Sequence, residues 1–506
     1  MITRVTLILL SCASFYTFTN QGTDDLRIAP SQRAVEIYSS YYTSLSDGDI
    51  TTLSNSIPAN GSVITINQPG KYCLKNNLIF TPQNDNVTGI LIATNNVVLD
   101  LKGYAISQGN NTANFSLISV ATGHTNITIS NGTLANCTSV ACEILTGTKI
   151  TLDNLSITNC KTTGIQLANC NNSFISNIYV TGCTTSISAE LAGILLDSCT
   201  NIKITESTSN NHVSSTTNGL VDGFKFISCN DCTISNCNSN THQAKRAYGY
   251  LIQNSSTCVF KNCKANHNIA TQIVDTNGVA GFSLISSNNC RLENCQALSN
   301  SSHNFAYGFK LLNCQYNKLS NCEAAYNKTS CNANHYHTYG FYSTHDDSLN
   351  GGNSLIDCRA TGNQGGPCVN SMGIGLALDG EKFSSITTCI AEYNHSLAGT
   401  GCGIYLNNSM YCTMKGNRLI ANTGNSSTGG YGIWDAALAS NNVYTENFAF
   451  ANGRNDNTVV NNYNVALAPN GDFTIFPSII AYLNNFTNLV LPGVQNYNIE
   501  IIERPL

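Results

Sequence analysis

Residues 307–327, YGFKLLNCQYNKLSNCEAAYN, place a glycine ahead of an apolar-x-apolar pair, followed by two cysteines, an alanine and an asparagine. The same order recurs in YGYLIQNSSTCVFKNCKANHN (248–268) and AGFSLISSNNCRLENCQALSN (280–300). With the glycine as origin, copies start at Gly164, Gly193, Gly223, Gly249, Gly281, Gly308, Gly340, Gly373, Gly403 and Gly432. Their mean spacing is about 30 residues, within the range of stacked repeats whose units bury an apolar face only against their neighbours. One long domain can therefore account for the chain of 506 residues.

Within each copy the apolar residues after the glycine alternate (Phe309 and Leu311; Phe224 and Phe226; Ile404 and Leu406), the period of a strand with one buried face. A second short strand has inward positions such as Cys290, Leu292 and Cys295, and a third begins with Cys-x-Ala-x-x-Asn. Three strands and three bends per repeat describe one coil of a parallel β-helix, whereas helical repeats would need longer runs of 3.6-residue periodicity. In stacked coils each inward position becomes a row of like side chains about 4.8 Å apart. Cysteine serves there as a small apolar filler, as in the rows Cys170, Cys199, Cys229, Cys314; Cys232, Cys258, Cys290, Cys412; and Cys237, Cys263, Cys295, Cys322. Asparagine at the bends can link its amide to backbone groups and to the next asparagine. Cys229-x-x-Cys232 with Cys237 has the look of a metal or redox group, but the rows make packing the simpler reading.

Weaker coils at 89–106, 117–137 and 143–160 extend the stack, giving an all-β, single-stranded, right-handed parallel β-helix of about 13 coils over residues 61–460. Its exposed ends need covers. Residues 26–60 form the expected N-terminal cap, with Ala34, Tyr38, Tyr41, Tyr42 and Leu45 on one helical face. Residues 461–506 form the C-terminal cap, with Phe476, Ile479, Ile480 and Leu483 at helical spacing and a strand at 497–502. Residues 1–25 read as an export signal, with Arg4 ahead of the apolar run Val5–Leu10, which is too short to span a membrane. LLSC (9–12) resembles a lipoprotein processing box that would lipidate Cys12, and setting Cys12 aside leaves an even 22 of 23 cysteines; ordinary cleavage or an uncleaved start remain the alternatives.

NQPGKYCLKNNLIF followed by GILIATNNVVLDLKGYAI resembles the entry coils of right-handed parallel β-helix proteins of the pectate-lyase-like superfamily, in its exported, NosD-like and carbohydrate-associated branch. That resemblance implies the fold over roughly residues 60–460 and leaves the activity open, since the architecture hosts lyases, hydrolases, esterases and adhesins. The acidic motifs and the Arg-Ile-Lys of its polygalacturonase-like members are missing, apart from Asp346-Asp347. No acidic calcium site accompanies Arg246, Arg291, Arg359 or Arg418, so the resemblance transfers no catalytic residue.

Charged residues are only 10% of the chain, net charge is −5 and no Lys/Arg cluster occurs, which excludes a nucleic-acid footprint. CNANHYHTYGFYSTHDD (331–347) concentrates chemistry: His335, His337 and His345 are candidate metal ligands, and His345, Asp346 and Asp347 candidate acid–base residues. No cofactor is expected, although calcium or a transition metal would suit such groups. Tyrosine precedes the repeat glycine at Tyr248, Tyr307, Tyr339 and Tyr431, and such a row could give sugar rings an aromatic platform. His212, His242, His267, His303 and His395 follow the third strand and could add hydrogen bonds. The function expected is an exported, extracytoplasmic, noncatalytic binding or structural rod contacting polysaccharide or a cell surface. A polysaccharide lyase or glycoside hydrolase with an unrecognised site is the alternative, and copper handling ranks last because methionine is scarce.

Overall fold

The computed structural model describes residues 62–454 apart from 83, 110–112, 186–189, 217–218, 272–277, 331–335, 346–350, 369, 426–428 and 437–440, together with the outlying strands Ala34–Ile37 and Tyr463–Val465. Every regular element among them is a β-strand, and every pairing is parallel between successive turns of a solenoid. The first sheet stacks 15 strands, one per turn, and all but Thr338–Thr344 and Tyr431–Asp435 carry the apolar-x-apolar pair. The coils read from the sequence correspond to its strands from Val87–Ile92 to Tyr431–Asp435, and Ser62–Ile66 and Tyr463–Val465 add one more at each end. The second sheet, of 26 strands, holds two rows that merge where the 12-residue strands His124–Ala135, Gly147–Thr158 and Cys170–Thr181 run through the bend. The third sheet holds ten two-residue strands, from Thr184–Thr185 to Gly453–Arg454.

Register is strict, so like residues meet. Phe282 pairs with Phe309 and Phe309 with Phe341. Their rings continue a stack through Phe224 and Tyr250, with centroids 4.5–4.9 Å apart and planes within 7° of parallel. The repeat glycine follows from the same packing. A Cβ on Gly308 would lie 2.6 Å from the Ala324 Cβ and 2.6 Å from the Gly340 carbonyl oxygen, so the Gly and the Ala of Cys-x-Ala define one close approach of two sheets.

The asparagine of each repeat forms an internal ladder. The Asn327 side chain accepts from the Asn300 backbone N–H at 3.0 Å and donates through Nδ2 to Asn363 Oδ1 at 2.9 Å and to the Ala297 carbonyl at 3.1 Å. Asn394, Asn422 and Asn452 continue the row. The bends themselves take left-handed backbone conformations, most often at asparagine, the non-glycine residue that tolerates them best.

All described cysteines are buried and no disulfide joins them. Their thiols donate to backbone carbonyls, as Cys322 Sγ does to Leu292 O at 3.4 Å and Cys229 Sγ to Ile227 O at 3.3 Å. Burial pushes the Cys314 and Cys412 thiols up to about 12. Cys229, Cys232 and Cys237 accordingly pack as core residues.

One expectation is corrected at the N-terminal end. Ala34–Ile37, placed on a helix by its apolar spacing, is a strand paired in parallel with Gly70–Leu74. Pairing satisfies backbone groups that the open end of the stack would otherwise present, and this outweighs the helical spacing. The remainder of 30–45, the export signal with Cys12, and the C-terminal cap with Phe476, Ile479, Ile480 and Leu483 lie outside the described residues.

Candidate functional site

The two described histidines of the dense segment do not come together. His337 precedes the strand Thr338–Thr344 and His345 follows it, so the two imidazoles are roughly 25 Å apart along an extended chain. His337 accepts the Met372 backbone N–H at Nδ1, 3.1 Å, among Phe305 and Tyr339. His345 is buried at the opposite bend, and neither of its ring nitrogens has a hydrogen-bond partner. His335, Asp346 and Asp347 lie outside the described residues. Among the described residues no group of three or more His, Cys, Asp or Glu is placed to hold a metal ion.

Beside His345 the structure shows an acid that the sequence reading passed over. Glu381 is fully buried and accepts hydrogen bonds from Ser343 Oγ at 2.5 Å, Ser384 Oγ at 2.6 Å and Asn353 Nδ2 at 3.3 Å. Burial raises its carboxyl, against the pull of those donors and of His345. Every member of this nest is sealed within the coil, which makes it part of the core rather than a place where a ligand can arrive.

The tyrosines expected to form a platform are also buried. Tyr248, Tyr307, Tyr339 and Tyr431 are only 4–7% exposed. They lie on the outer face of the first sheet in an apolar cluster separate from the solenoid core, with Phe305, Tyr342, Met372, Tyr405 and Trp434 packed against it. Tyr307 stacks on Tyr339 at 5.4 Å, and Lys310 Nζ lies 4.9 Å from the Tyr307 centroid. Their ring faces are therefore spent on one another.

His212 and His242 are internal too, occupying the first two rungs of the asparagine ladder. His267 is exposed, and His303 and His395 are half-buried.

Among the described residues the five most exposed aromatic rings occupy the bends instead. Tyr326 is 62% exposed and Tyr393 57%, both at left-handed positions between the second and third sheets. Together with His267, Ile269, Ser299, Ser301, Lys328, Gly362, Gln364 and His395 they line a groove of about 660 Å³ running along the solenoid axis. Tyr316, Phe383 and Tyr411 mark the neighbouring bend, where Phe383 stacks on Tyr411 at 5.3 Å. A signal for the groove was present in the sequence: the residue before each ladder asparagine is Tyr in CEAAYN and in CIAEYN.

A second recess, of about 300 Å³, opens on the outer face of the first sheet between Glu190, Asp222, Lys225, Arg246 and Tyr248. Glu190 pairs with Lys225 and lies beside Asp222, whose Oδ2 is buried without a hydrogen-bond partner. Burial, with Glu190 next to it, holds the Asp222 carboxyl well above the usual range. Glu190, which burial alone would raise, is lowered by Asp222 and Lys225.

No protein family model matches the chain, and no curated protein matches it. Among solved structures it is similar to the A-module of the Azotobacter vinelandii mannuronan C-5 epimerase AlgE4, at 12% identity and TM-score 0.37, covering 78% of this chain and 94% of that one. It is also similar to a tailspike protein mutant of E. coli bacteriophage HK620 in complex with pentasaccharide, at 10% identity and TM-score 0.43, covering 75% and 72%.

Proposed function

We propose that this protein is an exported, noncatalytic β-solenoid that binds glycan, at a cell surface or in its surroundings, along the groove between Tyr326 and Tyr393. The observation that carries the reading is the exposure of these two rings beside hydrogen-bonding side chains in an elongated groove. Flat aromatic faces attract the C–H faces of sugar rings, while Lys328, Gln364, Ser301 and His395 can meet hydroxyl groups. Export rests on the charged start and short apolar run of the first residues. Binding of the purified protein to an immobilised panel of polysaccharides tests the reading. Wild type should be retained on at least one glycan, and the Tyr326→Asn/Tyr393→Asn protein should not. Equal retention of the two would remove the groove from consideration.

A polysaccharide hydrolase or lyase is the second reading, and the recess at Asp222 and Glu190 is where an acid–base pair would have to act. Glycoside hydrolysis needs two carboxylates set apart by about 5 Å or more so that the sugar lies between them. Asp222 and Glu190 act directly on each other across the recess, which leaves no such gap and supports the noncatalytic reading. New reducing ends or unsaturated sugars that disappear in Asp222→Asn protein would reverse this order.

A further inference from the structure

The groove carries a period of its own. In successive coils the bend between the second and third sheets is occupied by His267, Ser299, Tyr326, Gly362 and Tyr393, all at φ between 55° and 62°. All five line the same groove. A ring-bearing residue therefore alternates with a small one: ring, Ser, ring, Gly, ring. Backbone hydrogen bonds from Tyr326 N to Thr361 O and from Gly362 N to Glu392 O keep these coils in register.

Two physical facts explain the alternation. A Cβ added to Gly362 would lie 2.9 Å from two carbons of the Tyr326 ring, so that ring extends over the next coil and takes the space a side chain would need there. Tyrosine also suits a left-handed bend poorly, and asparagine is the commonest residue at left-handed positions elsewhere in the protein. Residues kept at a conformational cost, with their faces left open to solvent, point to a task at the surface.

We infer that the groove recognises an extended β-1,4-linked glycan lying along the solenoid axis, with His267, Tyr326 and Tyr393 receiving sugars i, i+2 and i+4. Two coil steps separate neighbouring rings by about 10 Å. A β-1,4-linked chain turns each sugar over relative to the last, so the same face returns every second residue at about that repeat. An α-1,4-linked glucan coils and cannot present equivalent faces in a straight row. Backbone carbonyls and amides fix the spacing of the rings, so the rigid stack acts as a ruler for the ligand. This inference rests on the glycan-binding reading above and adds linkage and length to it.

Titration calorimetry tests it with β-1,4-linked oligosaccharides of glucose, N-acetylglucosamine and mannose, one to six residues long, and with α-1,4-linked gluco-oligosaccharides. For at least one β-linked series the affinity should step up about tenfold at three residues and again at five, one ring being engaged at each step. Tyr326→Asn, which places at the bend the residue common at the other bends, should abolish the step at three and keep the step at five. Tyr393→Asn should do the reverse. Unchanged circular dichroism and thermal transition will show that both variants fold. A smooth rise with length, or equal binding of α-linked chains, would overturn the inference and leave glycan binding standing. Binding confined to glycans without the two-residue repeat would do the same. Failure of every polysaccharide in the wider panel would overturn both.

Discussion

Acidification should weaken the solenoid through one imidazole, and the geometry says which. The His212 backbone N–H donates to His242 Nδ1 at 3.3 Å, so Nδ1 carries no proton. His242 Nε2 lies 2.9 Å from Ser239 Oγ, and that hydroxyl donates to the Gly249 carbonyl at 2.7 Å, so Nε2 bears the hydrogen. The ring is fully buried and stacks on His212 at 4.9 Å with planes 6° apart. A second proton can go only to Nδ1, where it breaks the rung to His212 and places a charge in the core beside another imidazole. Burial first, and His212 second, hold His242 well below its ordinary value of 6.5. The unfolded chain therefore takes up the proton before the folded one, and the stabilisation present above about pH 6.5 is lost as pH falls. For one such group the loss is about 1.4 kcal/mol per pH unit until the folded imidazole itself titrates.

His242→Asn isolates the effect, because asparagine continues the ladder that starts at Asn268 and has no proton to gain. Raised carboxyls such as Asp435, pushed up to about 6, and Glu381 act in the opposite sense and are common to both proteins. Urea midpoints of wild type and variant, measured between about pH 7.5 and pH 5, should diverge by that slope below about pH 6.5, with wild type losing stability faster. Parallel curves would refute the assignment of the buried proton.

Two further substitutions probe the packing. The hydroxyl of Tyr250 is buried without a hydrogen-bond partner in the aromatic stack, so Tyr250→Phe should raise the urea midpoint by the equivalent of about 1 kcal/mol; a clear loss of stability would mean that the hydroxyl is bonded. Gly308→Ala forces a methyl group against Ala324 and the Gly340 carbonyl and should cost roughly 1–3 kcal/mol, whereas a neutral result would show that the two sheets can part there.

Some of the functional surface was legible in the sequence and some was not. The repeat marked the rows, and His267 and His395, read as hydrogen-bonding candidates after the third strand, line the groove. The tyrosine row before the glycine was legible as a row, but not its burial, because Phe305, Met372, Tyr405 and Trp434 pack against it from the same and neighbouring coils. Tyr326 and Tyr393 are two repeats apart, so a comparison of adjacent repeats hides their relation. His345 and His337 looked close because they are eight positions apart, yet an extended strand separates neighbours in sequence more than any other element does.

The sequence by itself determined the coil. Phe309, Cys322 and Asn327 recur because a parallel stack sets each residue on its own copy, so inward periodicity, turn length and the need for glycine at Gly308 were all written in one dimension. Only the tertiary structure decided what remains open on the outside. Exposure depends on which side chains from neighbouring coils lie over a given ring, and it buried Tyr307 under Tyr339 and Lys310 while leaving Tyr326 uncovered above Gly362. That difference comes from the direction and reach of side chains across about 5 Å of stacked backbone, a distance that the order of residues along the chain does not express.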